Sequence, residues 1–197
     1  MKTMKHLFAC VAFLLCPLFW VETYGAVLTK DCSGLFVEQM SKAYDYFSRH
    51  DRMPDAIRVG GKEFNSGMML SAGYNLVRKM MAEPQTWMQS DIEYSDSYLC
   101  PDNERNNTLD IDEIALKDLI KLAENAHVFA QKNGVFPNYC TVDSGHKDPD
   151  GSEYPTQMII NAISISFARV FHHYANNGVL PEKVCTWHSD FLRSTAN

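Results

Sequence analysis

The amino-acid sequence predicts a mainly α fold of stacked helical repeat units, joined by proline-containing turns and short extended segments. Four segments place apolar residues three and four positions apart, which is the period of a helix that buries one face. Three connections share a proline that follows a helix stop. Each connection leads to an aromatic residue two positions before a hydroxyl residue, and such self-similarity is typical of repeats.

The first 25 residues have the pattern of a secretory signal peptide. Lys2 and Lys5 precede an apolar run over residues 7–21 that carries no charge, and Gly25 is a small residue suited to cleavage before Ala26. An uncleaved anchor is the alternative, although the run is shorter than the about 20 residues that a membrane span needs. We therefore expect an exported chain.

The charge of the chain limits its partners. The net charge is −6, and removal of residues 1–25 makes it one unit more negative, because that segment carries two lysines and one glutamate. Nucleic acids and anionic membranes attract basic faces, so this balance argues against both. Residues 26–197 contain no second long apolar run and suit a single domain. We expect no membrane span in the mature chain, which would be secreted, periplasmic or part of the cell envelope.

Four cysteines remain after the signal segment: Cys32, Cys100, Cys140 and Cys185. An even number in an exported chain predicts disulfides. Of the three possible pairings we favour Cys32 with Cys100 and Cys140 with Cys185, and the other two stay open. Because no two cysteines are separated by only two residues, the pattern of a zinc site or of a redox site is missing.

The predicted helices cover residues 33–49, 66–81, 110–133 and 156–177. Their apolar stripes are, in order, Phe36, Met40, Ala43 and Phe47; Met69, Gly73, Leu76 and Met80; Ile111, Ala115, Leu119, Leu122, Ala126 and Phe129; and Ile159, Ile163, Phe167, Val170 and Tyr174. N-capping residues stand at the starts and glycines suited to a left-handed stop follow the last two helices: Ser33, Ser66, Asp110 and Thr156, then Gly134 and Gly178.

The connections define the predicted repeat. In each, a helix stop is followed by an apolar residue, a proline that prevents the helix from resuming, and a short stretch suited to a strand. The predicted units cover about 33–82, 110–160 and 156–197, with an insertion at 83–109. All belong to one repeat domain over residues 26–197.

The unit resembles the pseudomurein-binding repeat family. The resemblance is carried by Asn177-Gly178-Val179-Leu180-Pro181-Glu182-Lys183-Val184 and by Asn133-Gly134-Val135-Phe136-Pro137-Asn138-Tyr139-Cys140. It implies a helical cell-wall-binding scaffold whose partner is cell-wall glycopeptide or polysaccharide. The repeats of the family often accompany a separate catalytic or adhesin domain, for which we expect no room in this chain, and we expect no cofactor.

Catalytic and metal-binding interpretations are weaker. Cys140, Asp143 and His146 would suit a thiol hydrolase, but they lie within one short loop, whereas such sites gather from distant segments. The acidic loop 143–153 contains oxygen ligands for calcium but does not follow the EF-hand pattern. We therefore expect neither an enzyme nor a metal site.

Aromatic residues among polar ones are the candidate ligand contacts, because rings that stack and groups that hydrogen-bond are what a sugar or a peptide needs. The candidates are Trp87, Tyr94 and Tyr98 in the insertion and Tyr139, Tyr154 and Trp187 near the turns. Core packing is the alternative role, especially for the second group. The sequence thus predicts a non-catalytic cell-envelope or glycan-binding protein, with an exported interaction or inhibitor protein that docks on a protein partner as the alternative.

Overall fold

The computed structural model describes residues 25–100, 113–147, 151 and 153–186. The predicted signal peptide, except for Gly25, lies outside the described residues, and so does Trp187. The side chains of 144–147 and 153–156, which include His146 and Tyr154, also lie outside the description.

The described chain is α/β, and the prediction of a mainly α stack of helical units is wrong. It forms four α-helices, one short 3₁₀ helix and four two-stranded antiparallel sheets within the ranges given above. The order is β1 (Ala26–Leu28), α1 (Lys30–His50), β2 (Ala56–Val59), β3 (Lys62–Asn65), α2 (Ser66–Ala82), the 3₁₀ helix (Trp87–Gln89), β4 (Ile92–Tyr94), β5 (Glu113–Ala115), α3 (Leu116–Asn133), β6 (Tyr139–Lys147), β7 (Glu153–Ile159), α4 (Ile160–Asn177) and β8 (Lys183–Cys185).

The turns at Pro54 and Pro137 lead into β-hairpins, whereas the turn at Pro181 leads into β8, which pairs with the distant strand β5, and this is where the prediction failed. After Pro54 the chain forms β2 and β3, which reverse at Gly60 and Gly61 with φ of 56° and 85°. Such left-handed backbone suits a tight hairpin turn between antiparallel strands. The extended stretches are therefore paired strands, and each hairpin leads directly into the next helix.

One order of elements, strand, helix, hairpin, helix and strand, occurs twice rather than three times in the described chain. The first copy runs from β1 to β4 and the second from β5 to β8. In each copy the outer strands pair with each other, β1 with β4 and β5 with β8. Buried positions of α1 recur in α3: Phe36 with Leu119, Met40 with Ala123, Ala43 with Ala126 and Phe47 with Ala130.

Side-chain contacts near the outer strands also recur in both copies. Asn75 of α2 donates a hydrogen bond to the carbonyl oxygen of Glu93 in β4 at 2.9 Å. Arg169, in the equivalent helix α4, donates to the carbonyl oxygen of Cys185 in β8. Each second helix is thus tied to the strand that ends its own copy, as expected of a duplicated framework.

The two copies interlock through their helices. α1 packs on α4, and α2 packs on both α3 and α4. The ring of Phe36 meets that of Phe171 edge-on, with centroids 5.7 Å apart. A Cβ at Gly73 would lie 3.4 Å from the Phe171 ring, so this glycine lets α2 and α4 approach closely. One core therefore spans both copies.

Candidate functional site

A groove of about 580 Å³ lies on the second copy, between α3, the turn that follows it and β6. Gly134 ends α3 with φ of 71°, Pro137 prevents the helix from resuming, and β6 then runs back along α3. The lining residues are Asn125, Phe129, Val135, Phe136, Pro137, Asn138, Tyr139, Cys140 and Thr141. Its volume falls within the range of small-molecule sites.

Exposed rings form the walls of this groove. Tyr139 is 55% exposed and Phe129 is 42% exposed, although both are large apolar side chains. Leu99, which is 64% exposed, lies beside them because its backbone pairs with Val135. The Leu99 amide donates to the Gly134 carbonyl oxygen at 3.5 Å, and the Leu99 carbonyl oxygen accepts from the Phe136 amide at 2.9 Å.

Polar contacts hold the groove in shape. The side-chain amide of Asn125 donates a hydrogen bond to the carbonyl oxygen of Thr141 at 3.0 Å and so joins α3 to β6. The carbonyl oxygen of Asn138 accepts from the amide of Ile160 at 3.3 Å, which joins the turn to the start of α4. None of the nine described lining residues is acidic, basic or histidine.

A buried aromatic cluster supports the floor. Phe136 is buried and meets the Tyr98 ring edge-on at 5.5 Å between centroids. The His127 ring lies 5.4 Å from the Tyr74 ring and 5.4 Å from the Tyr98 ring. Burial, together with the nearby Arg78 charge, lowers the pKa of His127, and burial raises the pKa of Tyr74 and Tyr98.

The equivalent surface of the first copy is different. Counted from the helix stops Asp51 and Gly134, the prolines Pro54 and Pro137 occupy the same position. The residues that correspond to Asn125, Phe129, Val135, Asn138 and Thr141 are Lys42, Tyr46, Arg52, Asp55 and Arg58. An apolar groove is therefore not a general consequence of this framework.

In the first copy, the side chain of Arg52 covers the ring of Tyr46, the residue equivalent to Phe129. Its guanidinium carbon lies 5.9 Å from the centroid of the Tyr46 ring, and one nitrogen donates to the Tyr46 hydroxyl at 3.1 Å. A second nitrogen lies 3.5 Å from the Asp55 carboxylate. The short side chain of Val135 stands in the place of Arg52 in the second copy and leaves the Phe129 ring exposed.

The predicted aromatic contacts of the insertion are core residues. Trp87, Tyr94 and Tyr98 are all buried. The indole of Trp87 donates to the Tyr174 hydroxyl at 3.2 Å, and the Tyr94 ring lies 5.0 Å from the Phe64 ring. Their faces are already covered, so they are unsuited as platforms for a ligand. The polar neighbours in the sequence lie on the outer side of the same short elements.

Of the predicted turn aromatics, Tyr139 lies in the groove. Sequence reasoning missed Phe129, which it assigned to the buried stripe of α3. The small residues Ala123, Ala126 and Ala130 instead form the buried side, together with leucines. These alanines recur at helical spacing, which indicates a face that packs closely against a neighbouring element. Phe129 lies on a different face of α3 and is therefore exposed.

The four cysteines are present as thiols, and none of them forms a disulfide in the part of the chain described. Cys32 lies at the start of α1 with its sulfur against the Gly60 turn. Cys140 on β6 is the strand partner of Met158, and Cys185 on β8 is the strand partner of Glu113. Cys100 directly follows Leu99. The favoured pairings of Cys32 with Cys100 and of Cys140 with Cys185 stay predictions.

The chemistry of the buried thiols bears on the hydrolase alternative. Burial raises the pKa of Cys140 to about 11, and burial raises the pKa of Cys100 to about 11 as well. A thiolate is the nucleophilic form, so such thiols stay protonated and weakly reactive at neutral pH.

A polar cluster between α1 and α4 does not have the geometry of a catalytic triad. The Ser41 hydroxyl lies 3.2 Å and the Asp45 carboxylate 3.6 Å from the same nitrogen of His172, Nδ1. In a triad the acid and the nucleophile contact opposite ring nitrogens. Here Nε2 lies 3.1 Å from the amide nitrogen of Asn176. The cluster joins two helices.

Within the part of the chain that the structure describes, no helix has the length and apolar character needed to cross a membrane. The same part holds no group of three or more His, Cys, Asp or Glu side chains placed to bind a metal ion. Comparison of the chain with protein-family models and with curated proteins finds no match.

Proposed function

We propose that this chain is a non-catalytic binding protein of the cell exterior, whose ligand is a cell-envelope component or a glycan held in the groove of the second copy. One observation carries the proposal. The groove exposes two aromatic rings on an uncharged surface, whereas the first copy has charged residues at four of the other equivalent positions and covers its Tyr46 ring with Arg52.

The groove has the chemistry that sugar binding needs. Sugar rings have apolar C–H faces that pack on aromatic rings, and they have hydroxyl groups that pair with amides. Tyr139 and Phe129 supply the rings, and the side-chain oxygen of Asn125, whose nitrogen donates to Thr141, supplies an acceptor. The buried floor at Phe136 and the bond from Asn125 to Thr141 hold this arrangement before a ligand arrives, which lowers the entropic cost of binding.

A binding role agrees with the groups in the groove. The described lining contains no carboxylate or imidazole to act as a general acid or base, and its one thiol has a raised pKa. Location outside the cell is supported by the signal-like residues 1–25. The resemblance to pseudomurein-binding repeats points to the same ligand class.

Binding of residues 26–197 to insoluble cell-wall and polysaccharide fractions tests the proposal. We expect the parent chain to bind and Tyr139→Ala to weaken binding by about tenfold, because an aromatic contact of this kind contributes about 1.4 kcal/mol. Tyr46→Ala is the matched control, since it removes the exposed-side aromatic of the first copy, and it should bind like the parent.

Two results would contradict the proposal. The parent chain could stay in solution with every fraction, or both tyrosine variants could lose binding equally. The melting temperature of each variant should be measured in parallel, so that loss of binding is not confused with loss of the fold.

A protein partner is the second candidate. Leu99 and Val128 are exposed near the groove and enlarge the apolar surface beyond what a sugar needs. An exported interaction or inhibitor protein would use this wider surface. Leu99→Ser would then abolish recovery of a protein complex, and the parent chain would bind no polysaccharide fraction.

A further inference from the structure

The chemistry of the groove limits the classes of ligand that it can bind. Resting on the proposed function, we infer that the groove takes a neutral glycan chain rather than an anionic wall polymer or a peptide. Three observations support this inference. The described lining residues carry no charge, the chain as a whole is negatively charged, and several backbone groups around the groove already form hydrogen bonds within the protein.

The lining offers no counter-charge to an ionic ligand. A carboxylate or phosphate that leaves water needs a cation or several strong donors to offset its desolvation. None of the nine described lining residues is Lys, Arg or His. Three of the equivalent positions in the first copy carry cations, namely Lys42, Arg52 and Arg58. The framework thus accommodates cations at these positions, and the groove lacks them.

The chain as a whole also disfavours a polyanion. Its net charge is −6, so a negatively charged polymer is repelled before contact. The exposed α3 residues Lys121, Glu124 and Lys132 carry two positive charges and one negative charge, a local excess of one that does not reverse the sign of the whole chain. Long-range attraction therefore does not replace the counter-charge that the groove lacks.

Backbone pairing argues against an extended peptide. A peptide that adds to a strand needs unpaired amides and carbonyls along an edge. At the groove, the carbonyl oxygen of Thr141 accepts from Asn125, and β6 is paired with β7 on its other side. The Gly134 carbonyl and the Phe136 amide are paired with Leu99. The exposed rings of Tyr139 and Phe129 remain as contacts, and these suit a sugar chain.

The test measures binding of residues 26–197 to laminarin and xylan, which are neutral, and to alginate and polygalacturonate, which are anionic. Each is measured at about 20 mM and about 500 mM NaCl, which changes the screening length severalfold. We expect a neutral glycan to bind with a dissociation constant that changes less than about twofold between the two salt concentrations. The anionic polymers should not bind at either concentration.

A charge introduced into the groove provides the matched variant. Val135→Arg places in the groove the cation that the first copy carries at Arg52, and we expect it to weaken binding of the neutral glycan about tenfold. Arg52→Val makes the reverse change outside the groove and should leave that binding unchanged. Melting temperatures again separate a lost site from a lost fold.

The outcomes distinguish this inference from the function on which it rests. Binding to an anionic polymer that weakens more than about tenfold at high salt would overturn the neutral ligand and keep glycan binding. Retention by a wall fraction that disappears after protease treatment, with no neutral glycan bound, would replace the glycan by a peptide. Failure to bind any glycan or wall fraction would overturn both the inference and the proposed function.

Discussion

His127 is a half-buried imidazole whose neighbours are aromatic or cationic. Tyr74 and Arg78 face it from α2, Tyr98 faces it from the segment before Cys100, and Phe136 faces it from the turn after α3. Burial and the Arg78 charge both disfavour the protonated ring. The neutral form of the ring that packs beside Phe136 is therefore favoured.

This environment predicts a loss of stability in acid. The pKa of folded His127 lies below the unfolded value of about 6.5, so the unfolded chain binds more protons between those two values. The free energy of unfolding should therefore fall as the pH drops below about 6.5, and the loss is complete below the folded pKa. Urea unfolding at a series of pH values measures it.

Substitution of His127 tests whether this residue causes the loss of stability in acid. His127→Gln should flatten the pH dependence of unfolding in this window, whereas His50→Gln, at the exposed end of α1, should keep the parent profile. An unchanged profile in His127→Gln would show that other groups cause the acid sensitivity.

At the scale of residues, the candidate contacts that the sequence predicted wrongly are those that turned out to be buried. Tyr139 was a candidate contact and lies exposed in the groove. Trp87 and Tyr98 were candidates because their neighbours in the sequence are polar, but burial depends on what packs across from them. Tyr174, from a distant helix, covers Trp87. A single sequence does not state such long-range contacts.

At the scale of elements, helix ends were predicted better than helix starts. The stops at Gly134 and Gly178 are confirmed, with φ of 71° at both. The starts of α3 and α4, predicted at 110 and 156, lie at Leu116 and Ile160, because strands β5 and β7 occupy the preceding residues. A left-handed stop is encoded by one residue, whereas strand pairing depends on a partner elsewhere.

The helix stops provide a matched pair of substitutions. Gly134→Ala should lower the free energy of unfolding by about 1 kcal/mol, because an alanine Cβ disfavours positive φ. A Cβ at this position would have no neighbouring atom within 4 Å, so the substitution tests backbone conformation alone. Chemical denaturation with an unchanged m-value measures the change.

The reverse substitution is available at the equivalent stop of α1. Asp51 has φ of 58° without being glycine, so Asp51→Gly should raise stability by a few tenths to about 1 kcal/mol. If both substitutions change stability in the same direction, backbone strain is not the controlling factor at these stops.

At the scale of the whole molecule, the duplicated framework gives one core instead of two. The predicted stack of units placed neighbouring helices in contact along the chain. In the structure, α1 packs on α4 of the other copy. The two outer strands of each copy pair with each other although they are far apart in the sequence. Apolar periodicity states which face of a helix is buried, but not which helix covers it.

Phe36 tests this interlocked core. It is fully buried and its ring contacts Phe64 of its own copy and Phe171 of the other, each at 5.7 Å between centroids. Phe36→Ala should lower the free energy of unfolding by about 3–5 kcal/mol and keep a single cooperative transition. Two separate transitions in the parent chain would show that the copies fold independently.

The asymmetry between the copies underlies the proposed function. A shared framework carries an uncharged, aromatic-walled groove in the second copy and paired charges in the first. Nuclear magnetic resonance of isotope-labelled chain, titrated with the glycan that the binding assays retain, tests this central claim most directly. We predict saturable shift changes at the amides of residues 125–141, including the side chain of Asn125, with residues 42–58 unaffected. Changes centred on residues 42–58, or spread evenly over the molecule, would contradict it.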